Sequence, residues 1–248
     1  MQLPLVQTTG NQTPKAQPGV VQGLMARSDA VDPSTLPWWP LEGVTALCQA
    51  TGRILAMFDL ETAGGPNHED GIVEIHIFFV SPKTGALREA GGLVNPERPI
   101  SPMAMRVHGI RDHQVRHCPN WLHWAPFMHD VAAHHLVSGY NVKGFDCRKV
   151  LTQNARYGHE ETVFAQTLDT MHLARTARTP KGGLGAAARA LEVPGPHAHR
   201  ARDDALMTLL VLDRLLTIYG LDEALGRIAP VEPKLPGSAR RRTRRKSR

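Results

Sequence analysis

Apolar and polar positions change period in blocks along the middle of this chain, and each block predicts an element. Arg53 to Asp59 is a mostly apolar run that predicts a central strand, and Ile72 to Val80 (Ile-Val-Glu-Ile-His-Ile-Phe-Phe-Val) predicts a second. Ala86 to Val94 predicts a third. Pro82-Lys83-Thr84-Gly85 between them has turn chemistry, so these two strands read as a hairpin. Helical stretches around Pro102 to His108 and Asn120 to His134 lead into a strand at Leu136 to Tyr140. A helix from Phe145 to about Gly158 follows, then a fifth strand at Thr167 to Leu173 and a short helix at Leu184 to Leu191. The clearest helical period runs from about Arg202 to Tyr219, with Ala205, Leu209, Leu212, Leu216 and Tyr219 on one stripe. Three leading strands and then alternating helices and strands predict an α/β fold with a mixed five-stranded sheet flanked by helices.

The ends break this pattern. Residues 1 to about 35 are rich in Gln, Thr, Pro and Gly without any period, which predicts little order. Pro37-Trp38-Trp39-Pro40 reads as a lid on the domain, and a short helix is expected from Leu41 to about Ala50, punctuated by Gly52. From Pro230 on, Pro, Gly and basic residues predominate. The expected division is an N-terminal extension over 1–50, largely flexible, one domain over 51–229, and a flexible basic tail over 230–248.

Composition narrows the class. Hydrophobic residues at 42% and charged residues at 21% suit a globular protein. No apolar run approaches the roughly 20 residues of a membrane span. The segment from Met1 to Thr9 lacks the basic-then-apolar layout of a signal peptide. Cys48, Cys118 and Cys147 are an odd set without zinc-like pairing, which fits a reduced, cytoplasmic setting. Seven of the 29 basic residues lie in the last nine, Arg240 to Arg248, leaving 22 basic against 23 acidic elsewhere. The pI near 9.5 therefore describes a basic tail on a nearly neutral body, and such a tail suits a polyanion.

Acidic residues then stand out by position. Asp59 and Glu61 occur in Phe58-Asp59-Leu60-Glu61-Thr62, at the end of the first strand. Residues two apart on a strand share a face, so both can reach one ion while Leu60 points away. Asp146 follows the strand at Leu136 to Tyr140, near the start of the next helix. His199 and Asp204 flank the start of the long helix, in His199-Arg200-Ala201-Arg202-Asp203-Asp204. Pro194-Gly195-Pro196 upstream suggests that His199 precedes the helix and Asp204 lies within it. Four carboxylates brought together repel unless cations neutralise them, which makes sense as a cage for divalent metal. A histidine beside the cage supplies a base. Together they read as metal-dependent hydrolysis of a phosphodiester.

These segments resemble the three motifs of the DEDDh 3′–5′ exonucleases, a superfamily that includes the proofreading epsilon subunit of bacterial DNA polymerase III, RNase T and oligoribonuclease. The similarity runs from about Arg53 to about Tyr219. Val94-Asn95-Pro96-Glu97-Arg98-Pro99-Ile100, Val107-His108-Gly109-Ile110 and Leu168-Asp169-Thr170-Met171-His172-Leu173-Ala174-Arg175 also look like the epsilon-type pattern. The resemblance implies an RNase H-like fold. It implies two Mg²⁺ or Mn²⁺ ions held by Asp59, Glu61, Asp146 and Asp204, with His199 as general base. The family spacing selects Asp204 over Asp203. It also implies substrate contacts from His108, to the terminal nucleotide, and from the segment starting at Thr62; Ala63 departs from the Glu-Thr-Thr-Gly common there.

The reaction implied is release of nucleoside 5′-monophosphates from nucleic-acid 3′ ends, with DNA proofreading or repair ahead of RNA trimming. A non-catalytic nucleic-acid or replisome adaptor is the alternative of another class. Gln2-Leu3-Pro4-Leu5-Val6 resembles the Gln-Leu-x-Leu-Phe peptide that grips the bacterial sliding clamp, so clamp or polymerase partners are also considered. The histidines at 108, 113, 117, 123, 129, 134 and 135 with Cys118 fit no zinc-ligand spacing. Gly182-Gly183-Leu184-Gly185 is a turn into a helix, with no Gly-Lys-Ser/Thr to make a phosphate loop.

Overall fold

The computed structural model of this chain describes residues 29–32, 40–64, 71–177, 182–194 and 199–233. The expectations placed on residues 1–28, on Trp38 and Trp39 and on the tail from 234 lie outside the described residues.

A meander of β2 (Leu55–Thr62), β3 (Ile72–Val80) and β4 (Leu87–Leu93) forms one half of the sheet, and β5 (Leu136–Gly139) and β6 (Phe164–Asp169) add in parallel beside β2. Two short strands complete it: β1 (Asp29–Ala30) outside β4 and β7 (Ala229–Val231) outside β6, giving the order β1-β4-β3-β2-β5-β6-β7. The sheet is thus mixed and seven-stranded rather than five-stranded. Elements of two and three residues are too short to leave a period in the sequence. The expected fifth strand, Thr167 to Leu173, also shifts: the extended run ends at Asp169, whose carboxylate accepts the Met171 N–H at 3.1 Å and starts a helix at Thr170.

The helices are α1 (Glu42–Thr51), α2 (Pro102–His108), α3 (Asp112–Val115), α4 (Trp121–His134), α5 (Asp146–Arg156), α6 (Thr170–Thr176), α7 (Leu184–Ala190), α8 (Ala201–Tyr219) and α9 (Asp222–Arg227). Strand alternation sorts them onto two faces. Leu55, Met57, Phe78 and Val80 point to one core with α1 and α8, while Ala56, Phe58, Ile75 and Ile77 point to the other with α4 and α5. Ala205, Leu209, Leu212 and Leu216 of the predicted stripe are buried under α8; Tyr219 is 55% exposed and lies past the core.

The body begins upstream of the boundary expected at residue 51. Leu41, Val44, Leu47 and Cys48 are fully buried, and the Val44 N–H donates to Asp213 on α8 at 2.9 Å. Gly43 permits that contact, since a Cβ there would stand 2.7 Å from the Asp213 carbonyl oxygen. At the other end, pairing of β7 with β6 carries the body to Val231. Among the described residues no helix is long and apolar enough to cross a membrane.

Candidate active site

The α8-facing row of β2 reads Leu55, Met57, Asp59, Glu61, so the strand that is apolar where it enters the core becomes acidic where it leaves. Its neighbours continue the pattern across the ladder. His76 pairs with Asp59, Glu74 with Glu61, and Glu89 on β4 with Phe78. Four acids therefore share this face, and two of them are neutralised. Arg200 reaches Glu74 through two hydrogen bonds of 3.0 and 2.6 Å, and Arg202 reaches Glu89 at 2.8 and 3.2 Å. Asp59 and Glu61 are left facing Asp204, in the first turn of α8, and one carboxylate oxygen from each of the three lies within 4.8 Å of the others.

Asp146 arrives from the far side. It opens α5, is 2% exposed, and lies outside that three-acid group while acting strongly on Asp59. The loop before it is held by a residue sequence reasoning assigned no part in the site. Asp169, buried at the end of β6, accepts the Asn141 N–H at 3.2 Å and the Lys143 N–H at 3.1 Å.

His199 stands just before α8 with its side chain 67% exposed, and its Nδ1 is 4.0 Å from Asp204 Oδ2. The expected order, histidine ahead of the helix and Asp204 inside it, is what the backbone shows. Asp203 shares the first turn but is not among the three clustered acids. A cleft of about 440 Å³ opens here, lined by Asp59, Asp204, His199, Tyr140, Leu184 and Met207 among others.

His108, expected to contact the terminal nucleotide, lies beside the Thr62 segment. It is 5% exposed; its Nδ1 accepts the Ile110 N–H at 3.0 Å and its Nε2 lies 3.2 Å from the Thr62 carbonyl oxygen. Both ring nitrogens are engaged inside the protein, where they hold the Thr62 and Ile110 backbone. Thr62 itself ends β2 at a break in register beside Glu61. Gly64 follows with φ +68°, and a Cβ there would meet Ser101 Oγ at 2.5 Å, so the loop lies close against the start of α2.

The electrostatics suit cations. Burial, reinforced by Asp146, Glu61, Asp204 and Glu74, pushes Asp59 well above the usual carboxylate range. Burial with Asp204, Glu74 and Asp146 pushes Glu61 up to about 8. Burial pushes Asp146 up to about 8, and Asp204 to about 6 against the pull of His199. Asp146 Oδ1 is buried with no hydrogen-bond partner. A buried carboxylate oxygen left unpartnered, beside three converging acids, fits an all-oxygen site for a hard divalent ion.

The RNase T exonuclease family model matches residues 56–212. The chain is 32% identical over 180 residues to a bifunctional exonuclease/endonuclease candidate of Mycobacterium tuberculosis, covering 65% of this chain and 26% of that one. It thus spans about a quarter of that relative's length. The structure of exonuclease X with 5′-overhanging duplex DNA superposes with a TM-score of 0.50 at 27% identity, covering 67% of this chain and 93% of that one. Escherichia coli exonuclease I with a dT13 oligonucleotide gives 0.55 at 17% identity, covering 66% and 41%, a likeness of fold.

Proposed function

The chain belongs to the RNase T exonuclease family, and from that premise we propose that it removes nucleotides from nucleic-acid 3′ ends, acting on DNA with Mg²⁺ or Mn²⁺. The observation that carries this reading is the convergence of Asp59, Glu61 and Asp204 within 4.8 Å beside the unpartnered Asp146 oxygen. Those four acids would hold the ions, which when bound lower the pKa of a water and stabilise the leaving oxygen. His199 takes the water's proton at Nε2, since its Nδ1 faces Asp204. The open cleft admits a strand end, and Tyr140, Leu184 and Met207 give its terminal base an apolar wall. The DNA-bound structure of exonuclease X supports DNA over RNA, as do the epsilon-like segments from Val94 to Ile100 and Leu168 to Arg175.

Digestion of 3′-labelled and 5′-labelled single-stranded DNA, duplex DNA and RNA, with Mg²⁺, Mn²⁺ or EDTA, tests each part. The expected result is immediate release of labelled mononucleotide from the 3′-labelled DNA, a shortening ladder from the 5′-labelled DNA, and nothing in EDTA. Early mononucleotide from the 5′ label, cutting of circular DNA, or activity in EDTA would overturn direction, mode or metal dependence in turn. Faster digestion of RNA would reassign the substrate.

A further inference from the structure

Two arginine forks fasten the first turn of α8 to the sheet, and they bracket the chemistry. Arg200 donates from Nε and Nη2 to Glu74 on β3. Arg202 donates from the same atoms to Glu89 on β4, where His76 Nε2 shares Oε2 at 2.9 Å and the Phe78 ring centre lies 5.6 Å below the guanidinium. His199 immediately precedes the first fork, and Asp204 lies two residues beyond the second.

Glu74 does more than pair with an arginine. The helix carries no side-chain cap of its own. Its first amide, Ala201 N–H, instead donates to Glu74 Oε2 at 3.0 Å, so a carboxylate from a distant strand caps α8. Glu74 is also 7% exposed and stands directly across the ladder from Glu61. Like charges in that position repel. Arg200 closes over Glu74 there with two donors, and it fixes the height of α8 above Asp59 and Glu61 as it does so. A lysine would supply the charge without the two-pronged geometry.

We propose that Glu74, Arg200, Glu89 and Arg202 are positioning residues, a latch that sets Asp204 and His199 against Asp59 and Glu61. The role rests on the exonuclease reading of those four groups. It predicts that loosening the latch weakens metal binding and turnover together with little loss of substrate affinity, because Tyr140 and Leu184 of the cleft wall belong to other elements and Met207 alone of the three rides on α8.

The test uses the full chain with Arg200→Lys, Arg200→Gln, Glu74→Gln and the double variant Glu74→Gln/Arg200→Gln, with Arg156→Gln as an exposed ion-pair control. Turnover on 3′-labelled DNA and Mn²⁺ affinity without nucleic acid are measured beside circular dichroism. The latch requires kcat to fall at least about tenfold in each latch variant with KM within about twofold. Mn²⁺ dissociation constants should rise by a similar factor. The double variant should be no worse than the worse single, since both halves act as one unit. Should Arg200→Gln fail to fold, Arg200→Lys and Glu74→Gln still decide. Wild-type turnover and Mn²⁺ affinity in those two folded variants, or additive losses in the double, would overturn the latch. If the parent chain released no nucleotide from any substrate the exonuclease reading would fall, and the Mn²⁺ affinities would still judge the latch on their own.

Discussion

His108 donates its Nε2 proton to the carbonyl oxygen of Thr62, 3.2 Å away, tying a buried imidazole to the end of the strand that carries Asp59 and Glu61. The tautomer is fixed by its other nitrogen, which accepts the Ile110 N–H. Two further bonds, Ala63 N–H to the Gly71 carbonyl at 2.8 Å and Ser101 N–H to the Ala63 carbonyl at 2.7 Å, hold the same loop. His108 therefore supports the Thr62 segment from beneath. His108→Ala strips partners from two backbone groups, and we expect a loss of about 1–3 kcal/mol in urea unfolding. KM for DNA should rise as the Thr62 loop loosens. Unchanged stability and KM would show that the loop needs no such support.

Asp59→Ala, Glu61→Ala, Asp146→Ala and Asp204→Ala should each abolish nucleotide release while the fold is retained. Removing any one relieves repulsion in the metal-free protein, so melting in EDTA should stay level or rise. Asp203→Ala, outside the clustered acids, should keep activity. Loss with Asp203→Ala and retention with Asp204→Ala would reverse the assignment of these neighbours.

Local periodicity carried much of this site. The period of two put Asp59 and Glu61 on one face, and the i, i+4 and i, i+3 steps from Ala205 to Leu216 put Asp204 at the head of a helix, while the family resemblance alone selected Asp204 over Asp203 and brought it to the other acids. The bounds of β3, Ile72–Val80, are those the apolar run implies. What stayed hidden depends on contacts between distant residues. Glu74 looks like an ordinary polar position in a strand until Arg200, 126 residues on, closes over it. Asp169 reads as a strand residue until its carboxylate is seen capping α6 and holding the loop before Asp146. β7 is recognisable only from its pairing with β6.

His199→Ala should lower kcat by roughly 10²–10⁴, the usual worth of a general base, with Mn²⁺ affinity nearly unchanged. Single-turnover rates and Mn²⁺ binding measured on the parent and the variant check both. An unaltered rate in the variant removes His199 from proton transfer.

The acids also make metal-free stability depend on pH in an unusual direction. Asp59 is raised well above its ordinary range, Glu61 and Asp146 reach about 8, and Asp204 about 6, chiefly through burial. Carboxyls in an unfolded chain ionise near pH 4. Between that value and about pH 8 the folded protein therefore holds protons that the unfolded chain has released, and its stability falls as pH climbs. His108 works the other way, because burial lowers its pKa. Its contribution is lost as pH drops below the ordinary histidine range, which sets an acid limit. In EDTA the melting temperature should thus peak at mildly acidic pH and fall by at least about 3 °C by pH 8.5, the shift worth about 1 kcal/mol in a domain of this size. Saturating Mg²⁺ holds the acids ionised and should flatten the alkaline side, and Asp146→Asn should flatten it partly without metal. A melting temperature that rises steadily from pH 6 to 8.5 in EDTA would mean these carboxyls are ionised without a cation.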